Sequence, residues 1–346
     1  MNHTIQLGKR TISAASPTFI VAEVSANHNQ NYDRAVEIIH AAAEAGADAV
    51  KLQTYTADTL TIDCHDDCFM NKGGLWDGIS EYDLYKQAYT PWEWQPKLIE
   101  EAHKLGMECF SSPFDFTAVD FLEEINVPAY KIASYEINDI PLIRKVAKLH
   151  KPVIFATGIA YSEDIERAFA VCKEEGNEDV ILLKCVSAYP TPYEEVNLNV
   201  IPTLAKTYDC LTGISDHTLG TIVSAGAVPL GAKMVEKHLT LRRADGGPDS
   251  GFSMEPQEFK QMVDEIRILD KALEYVLTEK QKQEHRGSRS LFVVKDIAEG
   301  ETLTPENIRS IRPGIGLHTM YYEEVLGKRA KHFLKKGTPL AWELIQ

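Results

Sequence analysis

Two lysines and two histidines stand out because they occur in or beside short apolar stretches of the chain. Lys51 and Lys131 each lie within an apolar run, and His217 and His238 each follow or end one. A lysine is rarely buried without an anionic partner, and two imidazoles on neighbouring strands can reach one ion at about 2.0–2.2 Å each. These four residues predict an anionic substrate and a divalent metal.

Further polar side chains fall at the carboxyl ends of the same apolar runs. The hydroxyls of Ser112, Ser134 and Ser215 would complete a pocket for phosphate or carboxylate around the two lysines. The other polar residues at such ends are Glu23, Asn27, His28, Gln53, Ser111, Glu136, Lys184, Ser187, Tyr189, Asp216 and Glu236.

The alternation of side chains along a strand predicts which of these residues share a face. Lys51 and Gln53 point the same way, and so do Glu236 and His238. Lys237 points to the opposite face.

Eight short apolar runs alternate with helical stretches between Thr18 and about Leu241. Strands that alternate with helices pair in parallel through βαβ units, and eight units predict a closed (β/α)₈ TIM barrel, for which roughly 250 residues is typical. The active site then lies at the carboxyl ends of the strands. An open doubly wound sheet is the alternative, but no glycine-rich dinucleotide fingerprint follows the first run. The predicted strands begin at Phe19, Ala49, Glu108, Tyr130, Val153, Val180, Leu211 and Met234.

One connection of the predicted barrel is unusually long, from Tyr55 to Tyr89. Long connections in compact domains are usually functional or disordered. This one carries Lys72–Asp77, in which a tryptophan follows a glycine pair, and we expect an ordered turn over a site. The last helix of the barrel is predicted over Glu255–Leu277.

The chain is predicted to contain a TIM-barrel catalytic domain over residues 1–278, a linker over 279–288 and a small domain over 289–346. The linker is polar, and the small domain alternates short strands with turns at Gly300 and Gly337. A domain of about sixty residues is marginal alone, so we expect it to pack on a barrel.

Composition is that of an ordinary globular protein, with 346 residues, 44% hydrophobic and 25% charged. The formal charge of −15 argues against nucleic acid or an anionic membrane surface as a partner. The sequence has no apolar leader and no run long enough to span a membrane. Six cysteines are expected to be free thiols in a cytoplasmic protein.

Six motifs, in this order along the chain, resemble those of the sialic acid synthase family. The last of them is similar to the antifreeze-like (SAF) domain of that family. Lys72–Asp77 and Ser187 favour the branch of the family whose acceptor is a 2,4-diacetamido-2,4,6-trideoxy-altrose. The six motifs are Ala22–His28, Ala47–Thr54, Tyr130–Ser134, Gly213–His217, Glu236–His238 and Arg312–Leu317.

The resemblance implies a condensation reaction. Phosphoenolpyruvate would join an open-chain N-acetylated amino sugar and water, giving a nine-carbon 2-keto acid and phosphate. The cofactor would be a divalent ion, Mn²⁺ in the first place, with Mg²⁺ or Co²⁺ as alternatives. The assembly would be a homodimer with exchanged small domains.

The resemblance also implies a role for each candidate residue. His217 and His238 would bind the metal. Glu23 or Glu136 would stabilise the developing cation or activate water. Phosphoenolpyruvate would be held by Lys51, Ser112, Lys131, Ser134, Ser187 and Ser215. The residues that would contact the sugar are Tyr189, Glu236 and Asp249 of the same subunit and Arg312 of the partner subunit.

Three alternatives stay open on the sequence alone. An N-acetylneuraminate or legionaminate synthase would run the same chemistry on another sugar, although Ser187 stands where asparagine is common in sialic acid synthases. A metal-dependent aldolase would need no phosphate site, so Lys51 and Lys131 argue against it. A sugar-binding module would have no use for a metal site built from two histidines.

Overall fold

The computed structural model describes residues 3–274 and 278–346. The chain divides into two compact units, Met1–Leu273 and Glu274–Gln346. The first unit is a closed barrel of eight parallel strands in the order β10-β3-β4-β5-β6-β7-β8-β9. The strands of this unit are β1 Thr4–Leu7, β2 Arg10–Ser13, β3 Phe19–Glu23, β4 Ala49–Thr54, β5 Glu108–Pro113, β6 Tyr130–Ile132, β7 Val153–Ala156, β8 Val180–Cys185, β9 Leu211–Asp216 and β10 Ala232–His238.

All eight predicted strands are present, which confirms the predicted fold class. Helices occupy the connections on the outside of the barrel. Their bounds are α1 Tyr32–Ala45, α2 Ala57–Leu60, α3 Glu81–Ala88, α4 Gln95–Lys104, α5 Phe116–Glu124, α6 Ile140–Ala147, α7 Ser162–Glu174, α8 Val200–Tyr208, α9 Ile222–Ala227 and α10 Pro256–Ala272.

Helix α1 shows how the sequence determines where a helix begins, where it ends and which face is buried. The Asn31 side chain accepts a hydrogen bond from the backbone N–H of Arg34 at the amino end. Gly46 ends the helix with a φ of 90°, a left-handed conformation that favours glycine. The buried face, with Ile38 and Ile39 at its centre, packs against the barrel.

An antiparallel hairpin, β1–β2, precedes the barrel and was not predicted from the sequence. Its Ile5, Leu7 and Ile12 are buried together with inward-facing residues near the strand starts, such as Phe19 and Leu211. The hairpin therefore closes the amino-terminal end of the barrel with an apolar layer. Any site inside the barrel has to open at the carboxyl end.

The predicted last helix differs from α10, which ends at Ala272 with Leu273 as its cap. Residues 275–277 of the predicted helix lie outside the described residues. Glu255 and Glu258 form a capping box at the start, as expected for a helix beginning there. No helix in the described part of the chain is both long enough and apolar enough to cross a bilayer.

The second unit has a small core of its own. Strands β11 Ser290–Val293 and β12 Ile308–Ile311 pair antiparallel, and turns at Gly300 and Gly337 have positive φ. Residues 279–288, expected to be a linker, contain helix α11 Glu279–Glu284. A further short helix is α12 Tyr322–Val325. The buried apolar residues of this unit are Leu291, Val293, Ile297, Leu303, Ile308, Val325, Ala330, Leu334, Leu340 and Ile345.

Candidate active site

A cavity of about 460 Å³ opens at the carboxyl ends of the strands. Ten of the residues predicted from the sequence line it: Lys51, Ser112, Lys131, Ser134, Glu136, Tyr189, His217, Glu236, His238 and Asp249. Glu23 and Ser215 are buried beside lining residues, Ser187 lies next to Ser134, and Arg312 belongs to the second unit. The structure thus brings the barrel candidates together and leaves Arg312 in a separate unit.

Strand alternation explains why these side chains converge. On β4 the inward residues are Ala49 in the apolar layer and then Lys51, and on β10 they are Met234 and then Glu236. Each strand thus presents an apolar residue low in the barrel and a polar residue one step higher. The polar layer forms the floor of the cavity.

Lys51 is at the centre of this floor. Its Nζ lies 2.6 Å from Oε2 of Glu23, 3.4 Å from Oε1 of Glu236 and 3.3 Å from the Ser112 hydroxyl. Burial acts to lower the pKa of Lys51, but the two carboxylates outweigh it and raise that pKa. The lysine is therefore a permanent cation of the floor.

A second cation, Lys131, shares one of these carboxylates. Its Nζ lies 3.5 Å from Oε1 of Glu236, which also accepts a hydrogen bond of 3.2 Å from Ser215. Burial acts to raise the pKa of Glu236, but Lys131 and Lys51 outweigh it and hold the pKa below its usual value. Burial raises the pKa of Glu23 to about 7. Two lysines thus face one firmly ionised carboxylate and one that is partly protonated near neutral pH, so the floor can accept an anion.

Ser134 and Ser187 converge beside Gly158, next to this floor. The Gly158 N–H donates a hydrogen bond of 3.0 Å to the Ser134 hydroxyl. A side chain at position 158 would begin 2.3 Å from the Ser187 hydroxyl oxygen and 2.7 Å from that of Ser134. Glycine is therefore required there for the two hydroxyls to approach the same backbone.

The two predicted histidines are neighbours at the wall of the cavity. Their ring centroids are 5.3 Å apart. Nδ1 of His217 lies 3.0 Å from the Val186 carbonyl oxygen and 3.9 Å from the Cys185 sulfur. A proton on Nδ1 that is donated to this carbonyl leaves Nε2 free to act as a ligand.

His238 carries an unusual buried nitrogen. Its Nδ1 has no hydrogen-bond partner among residues 3–274 and 278–346, and the nearest carboxylate oxygen, from Asp249, is 3.9 Å away. Burial, reinforced by His217 and by the nearby lysines, lowers the pKa of His238 well below its usual value. A neutral imidazole with an unpaired buried nitrogen fits a metal ligand.

The described part of the chain contains no cluster of three or more His, Cys, Asp and Glu side chains arranged as a complete metal site. The two imidazoles would by themselves supply two ligands to an ion. Such a set suits a catalytic ion, which keeps coordination positions open for water and substrate.

A hydrogen-bonded chain links the floor to the far wall of the cavity. The Gln53 amide donates to Glu23, at 3.0 Å, and to the Ser25 hydroxyl, at 2.9 Å. Ser25 in turn makes a short hydrogen bond to Asp249. Burial raises the pKa of Asp249. This chain fixes the position of Asp249 beside His238.

Glu136 is a second carboxyl group at the cavity wall. Burial raises its pKa to about 7, although Lys131 acts in the opposite direction. Its Oε2 has no hydrogen-bond partner within the residues that the structure describes. A buried, unpaired carboxylate oxygen of this kind is available to a substrate group.

The expected ordered turn in the long connection is present. The Trp76 indole N–H donates to the Pro248 carbonyl at 3.0 Å, and its ring lies 5.7 Å from the Tyr189 ring. Tyr189 also lies 4.5 Å from His217, between ring centroids. Trp76 thus lines the cavity beside Tyr189, in the ordered turn predicted for this segment.

The opposite orientation predicted for Lys237 is confirmed. Its Nζ lies 2.7 Å from Asp216 and 2.6 Å from the Thr218 carbonyl, on the outer face of β9 and β10. This ion pair joins the two strands directly behind the histidines.

A parallel barrel whose mouth holds two buried lysines, two histidines and several carboxyl groups defines a (β/α)₈-barrel enzyme that acts on an anionic small molecule. The chain belongs to the NeuB family, whose profile it matches over residues 38–277, and a SAF domain is matched over residues 288–346. The family resemblance of the motifs is therefore confirmed.

Individual relatives cover almost the whole chain. It is 46% identical to the pseudaminic acid synthase of Helicobacter pylori over 95% of this chain and 98% of that protein. It is 44% identical to the pseudaminic acid synthase of Campylobacter jejuni subsp. jejuni serotype O:23/36 over 93% and 95%. Among solved structures, the spore coat polysaccharide biosynthesis protein SpsE of Bacillus subtilis is 34% identical, with a TM-score of 0.69 and 99% of both chains covered.

Sequence reasoning missed two parts of the site. The Ser25–Asp249 contact joins residues 224 positions apart, and nothing local signals it. Helix α3 lines the cavity with one face, and the i, i+3, i+4, i+7 spacing of Glu81, Leu84, Tyr85 and Ala88 could have revealed that face.

Proposed function

We propose that the chain is a pseudaminic acid synthase, which condenses phosphoenolpyruvate with 2,4-diacetamido-2,4,6-trideoxy-altrose and releases phosphate. The observation that carries the proposal is the pair of buried lysines in the same cavity as the histidine pair. The near-full-length similarity to two pseudaminic acid synthases supports the choice of acceptor.

Phosphoenolpyruvate would bind on the cationic floor. Lys51 and Lys131 would contact its carboxylate and phosphate oxygens, and charge-assisted hydrogen bonds of this kind are strong in a buried site. The hydroxyls that would add further donors are those of Ser112, Ser134, Ser187 and Ser215. Because the histidines line the same cavity, phosphoenolpyruvate bound in this way would have its enol carbon facing them.

His217, through Nε2, and His238 would hold a divalent ion, Mn²⁺ in the first place and Mg²⁺ or Co²⁺ as alternatives. The unpaired nitrogen of His238 and the occupied Nδ1 of His217 fit this role. A bound ion supplies Lewis-acid polarisation of the sugar aldehyde. Glu236, from the floor, and Asp249 and Tyr189, from the wall beside the histidines, would orient the sugar.

The reaction forms one carbon–carbon bond and one carbon–oxygen bond, to water, and breaks the carbon–oxygen bond to phosphate. C3 of phosphoenolpyruvate attacks the aldehyde carbon, and positive charge develops at C2. Water adds at C2, and the C2–O bond to phosphate then breaks to give the keto acid. Of the two protons that the water loses, one goes to the oxygen of the former aldehyde and one to the departing phosphate. Glu136, with its unpaired oxygen, would stabilise the charge at C2. Glu23, held by Lys51 and Gln53, would orient the water.

A panel of acceptors tests the proposed sugar. Phosphoenolpyruvate and a divalent ion are supplied with the diacetamido-trideoxy-altrose, with N-acetylmannosamine, or with the acceptor of a legionaminate synthase. We expect the altrose derivative to give the highest kcat/KM. A higher value for either other sugar would assign the chain to the corresponding N-acetylneuraminate or legionaminate branch.

The pKa of Glu136 predicts a pH dependence. Because the carboxylate is the active form and its pKa is about 7, kcat/KM for the sugar should fall about tenfold per pH unit below pH 7 and level off above it. Glu136→Gln should lower kcat by about 10²–10³-fold and remove this acid limb. A limb that persists in Glu136→Gln would assign it to another group, first of all to Glu23, whose pKa burial also raises to about 7.

We further propose a homodimer in which Arg312 completes the site of the partner subunit. The Arg312 side chain is exposed and makes no hydrogen bond within residues 278–346. Its guanidinium can present fixed donors to an acetamido oxygen or a carboxylate.

The six free cysteines support a reducing, cytoplasmic setting for this enzyme.

Mixing two inactive variants tests the exchanged arrangement. Arg312→Ala and His217→Ala chains are combined under conditions that let subunits exchange. A mixed dimer then has one barrel with its own histidines and the arginine of the other chain. We expect recovery of up to about a quarter of the wild-type sites, since about half of the dimers are mixed. No recovery, with mixed dimers shown to form, would mean that each small domain serves its own barrel.

A further inference from the structure

One face of helix α3 lines the cavity and has no part in the chemistry described above. Glu81, Leu84, Tyr85 and Ala88 follow the i, i+3, i+4, i+7 spacing and all contribute to the cavity wall. Leu84 and Ala88 are buried. An amphipathic helix normally packs its apolar face against protein, whereas this face borders the space for a ligand.

Neighbouring side chains extend this face into an apolar wall. Leu60, at the end of α2, also lines the cavity, as do Tyr55 and Phe114. The Tyr55 ring meets Tyr85 edge-on at 5.8 Å and Phe114 edge-on at 5.1 Å, between ring centroids. Among these lining residues, we call the four without a polar side-chain atom, Leu60, Leu84, Ala88 and Phe114, the apolar wall.

The two tyrosines beside the apolar wall carry no charge near neutral pH. Burial raises the pKa of Tyr55 well above its usual value, and burial also raises the pKa of Tyr85 to about 12. The charged floor, with Lys51 and Lys131, lines another part of the same cavity. The cavity therefore offers ionic contacts to one substrate and apolar contacts to another.

A hydroxyl group placed against Leu84 and Ala88 would lose water without gaining a partner, which costs free energy. A methyl group there would gain from leaving water. We propose that the apolar wall binds the deoxygenated C6 end of the acceptor and selects 6-deoxy sugars. This inference rests on the proposed function and names the residues that set its substrate class.

The selectivity of an apolar wall against a substrate with one added hydroxyl has a limited range. An apolar pocket rejects an isostere with one added hydroxyl by about 10²-fold at most. We therefore expect wild-type kcat/KM for 2,4-diacetamido-2,4,6-trideoxy-altrose to exceed that for its 6-hydroxy counterpart by about 10–10²-fold. The two acceptors differ by a single oxygen atom, so the ratio reports on that position alone.

Two variants place a polar partner on the wall. Leu84→Gln supplies an amide, and the smaller change Ala88→Ser supplies one hydroxyl with little added volume. Lys86→Ala, on the exposed face of α3, is the matched control. Phosphate release is measured with both acceptors and with varied phosphoenolpyruvate, and thermal unfolding establishes that each variant is folded.

We expect the acceptor ratio to fall about tenfold in Leu84→Gln, and in the same direction in Ala88→Ser, with KM for phosphoenolpyruvate within about twofold of wild type. Lys86→Ala should keep the wild-type ratio. If the folded variants keep the wild-type ratio of kcat/KM between the two acceptors, whether or not both values fall, the wall does not contact C6. Failure of the wild type to turn over either acceptor would instead overturn the proposed function.

Discussion

Replacing His217 by alanine is expected to lower kcat by at least about 10³-fold while the barrel stays folded. His217 and His238 are the only pair of adjacent imidazoles lining the cavity within residues 3–274, and removing one leaves a single protein ligand there. Mn²⁺ binding to the variant, measured by titration calorimetry, should weaken together with the loss of turnover. Circular dichroism reports whether the fold survives.

His40→Ala is the matched control for this experiment. His40 is half-exposed and its Nε2 lies 2.9 Å from Glu101 on the outside of the barrel. It should bind metal and turn over substrate like the wild type. Full activity of His217→Ala, or of the wild type after complete removal of divalent ions with a chelator, would contradict the role of the histidine pair.

Lys51→Met is expected to destabilise the protein and to weaken phosphoenolpyruvate binding together. Lys51 is 2% exposed and faces Glu23 and Glu236, so its removal leaves Glu23 without its paired cation and Glu236 with Lys131 alone. Breaking a buried pair in this way costs about 3–5 kcal/mol of unfolding free energy. The lost contact to substrate should raise KM for phosphoenolpyruvate by about 10–100-fold.

Lys237→Met separates these two effects. Lys237 is also buried in an ion pair, with Asp216, but on the outer face of the strands. Lys237→Met should lower the free energy of unfolding, measured by urea denaturation, by a similar amount and should leave KM for phosphoenolpyruvate unchanged. If Lys51→Met behaved like Lys237→Met, Lys51 would be a structural lysine and not part of the anion site.

Much of the barrel could be predicted because strand alternation and strand order act over short stretches of sequence. The inward direction of Lys51 and the outward direction of Lys237 both follow from counting residues along a strand. Parallel closure then brings the ends of distant strands to one mouth. The two lysines of the cationic floor could therefore be predicted from the sequence.

Contacts between loops could not be predicted from the sequence in this way. Ser25 meets Asp249 because the connections after β3 and β10 fold over the same mouth, and loop conformation has no simple period. The N-terminal hairpin was missed for another reason, since its two short strands are stabilised by burial of Ile5, Leu7 and Ile12 under the barrel. Tertiary packing, and not local propensity, determines both features.

The pKa of a buried carboxyl group is likewise a property of the assembled cavity. Glu23 and Glu236 lie beside the same lysine, yet burial raises the pKa of Glu23 to about 7, while Lys131 and Lys51 together hold that of Glu236 below its usual value. Both lysines act to lower the pKa of Glu23 as well, but burial and the negative charge of Glu236 outweigh them there. Sequence alone does not reveal this balance, because it depends on how the side chains are arranged in the cavity.

The ratio of products formed from phosphoenolpyruvate and the diacetamido-trideoxy-altrose tests the central claim most directly. Wild-type protein with Mn²⁺ is given both substrates, and inorganic phosphate and the nine-carbon 2-keto acid are quantified over time. A synthase should form the two products in equal amounts, and neither without the sugar. No phosphate from phosphoenolpyruvate, together with cleavage of separately supplied keto acid to pyruvate and sugar, would show a metal-dependent aldolase and contradict the proposed condensation.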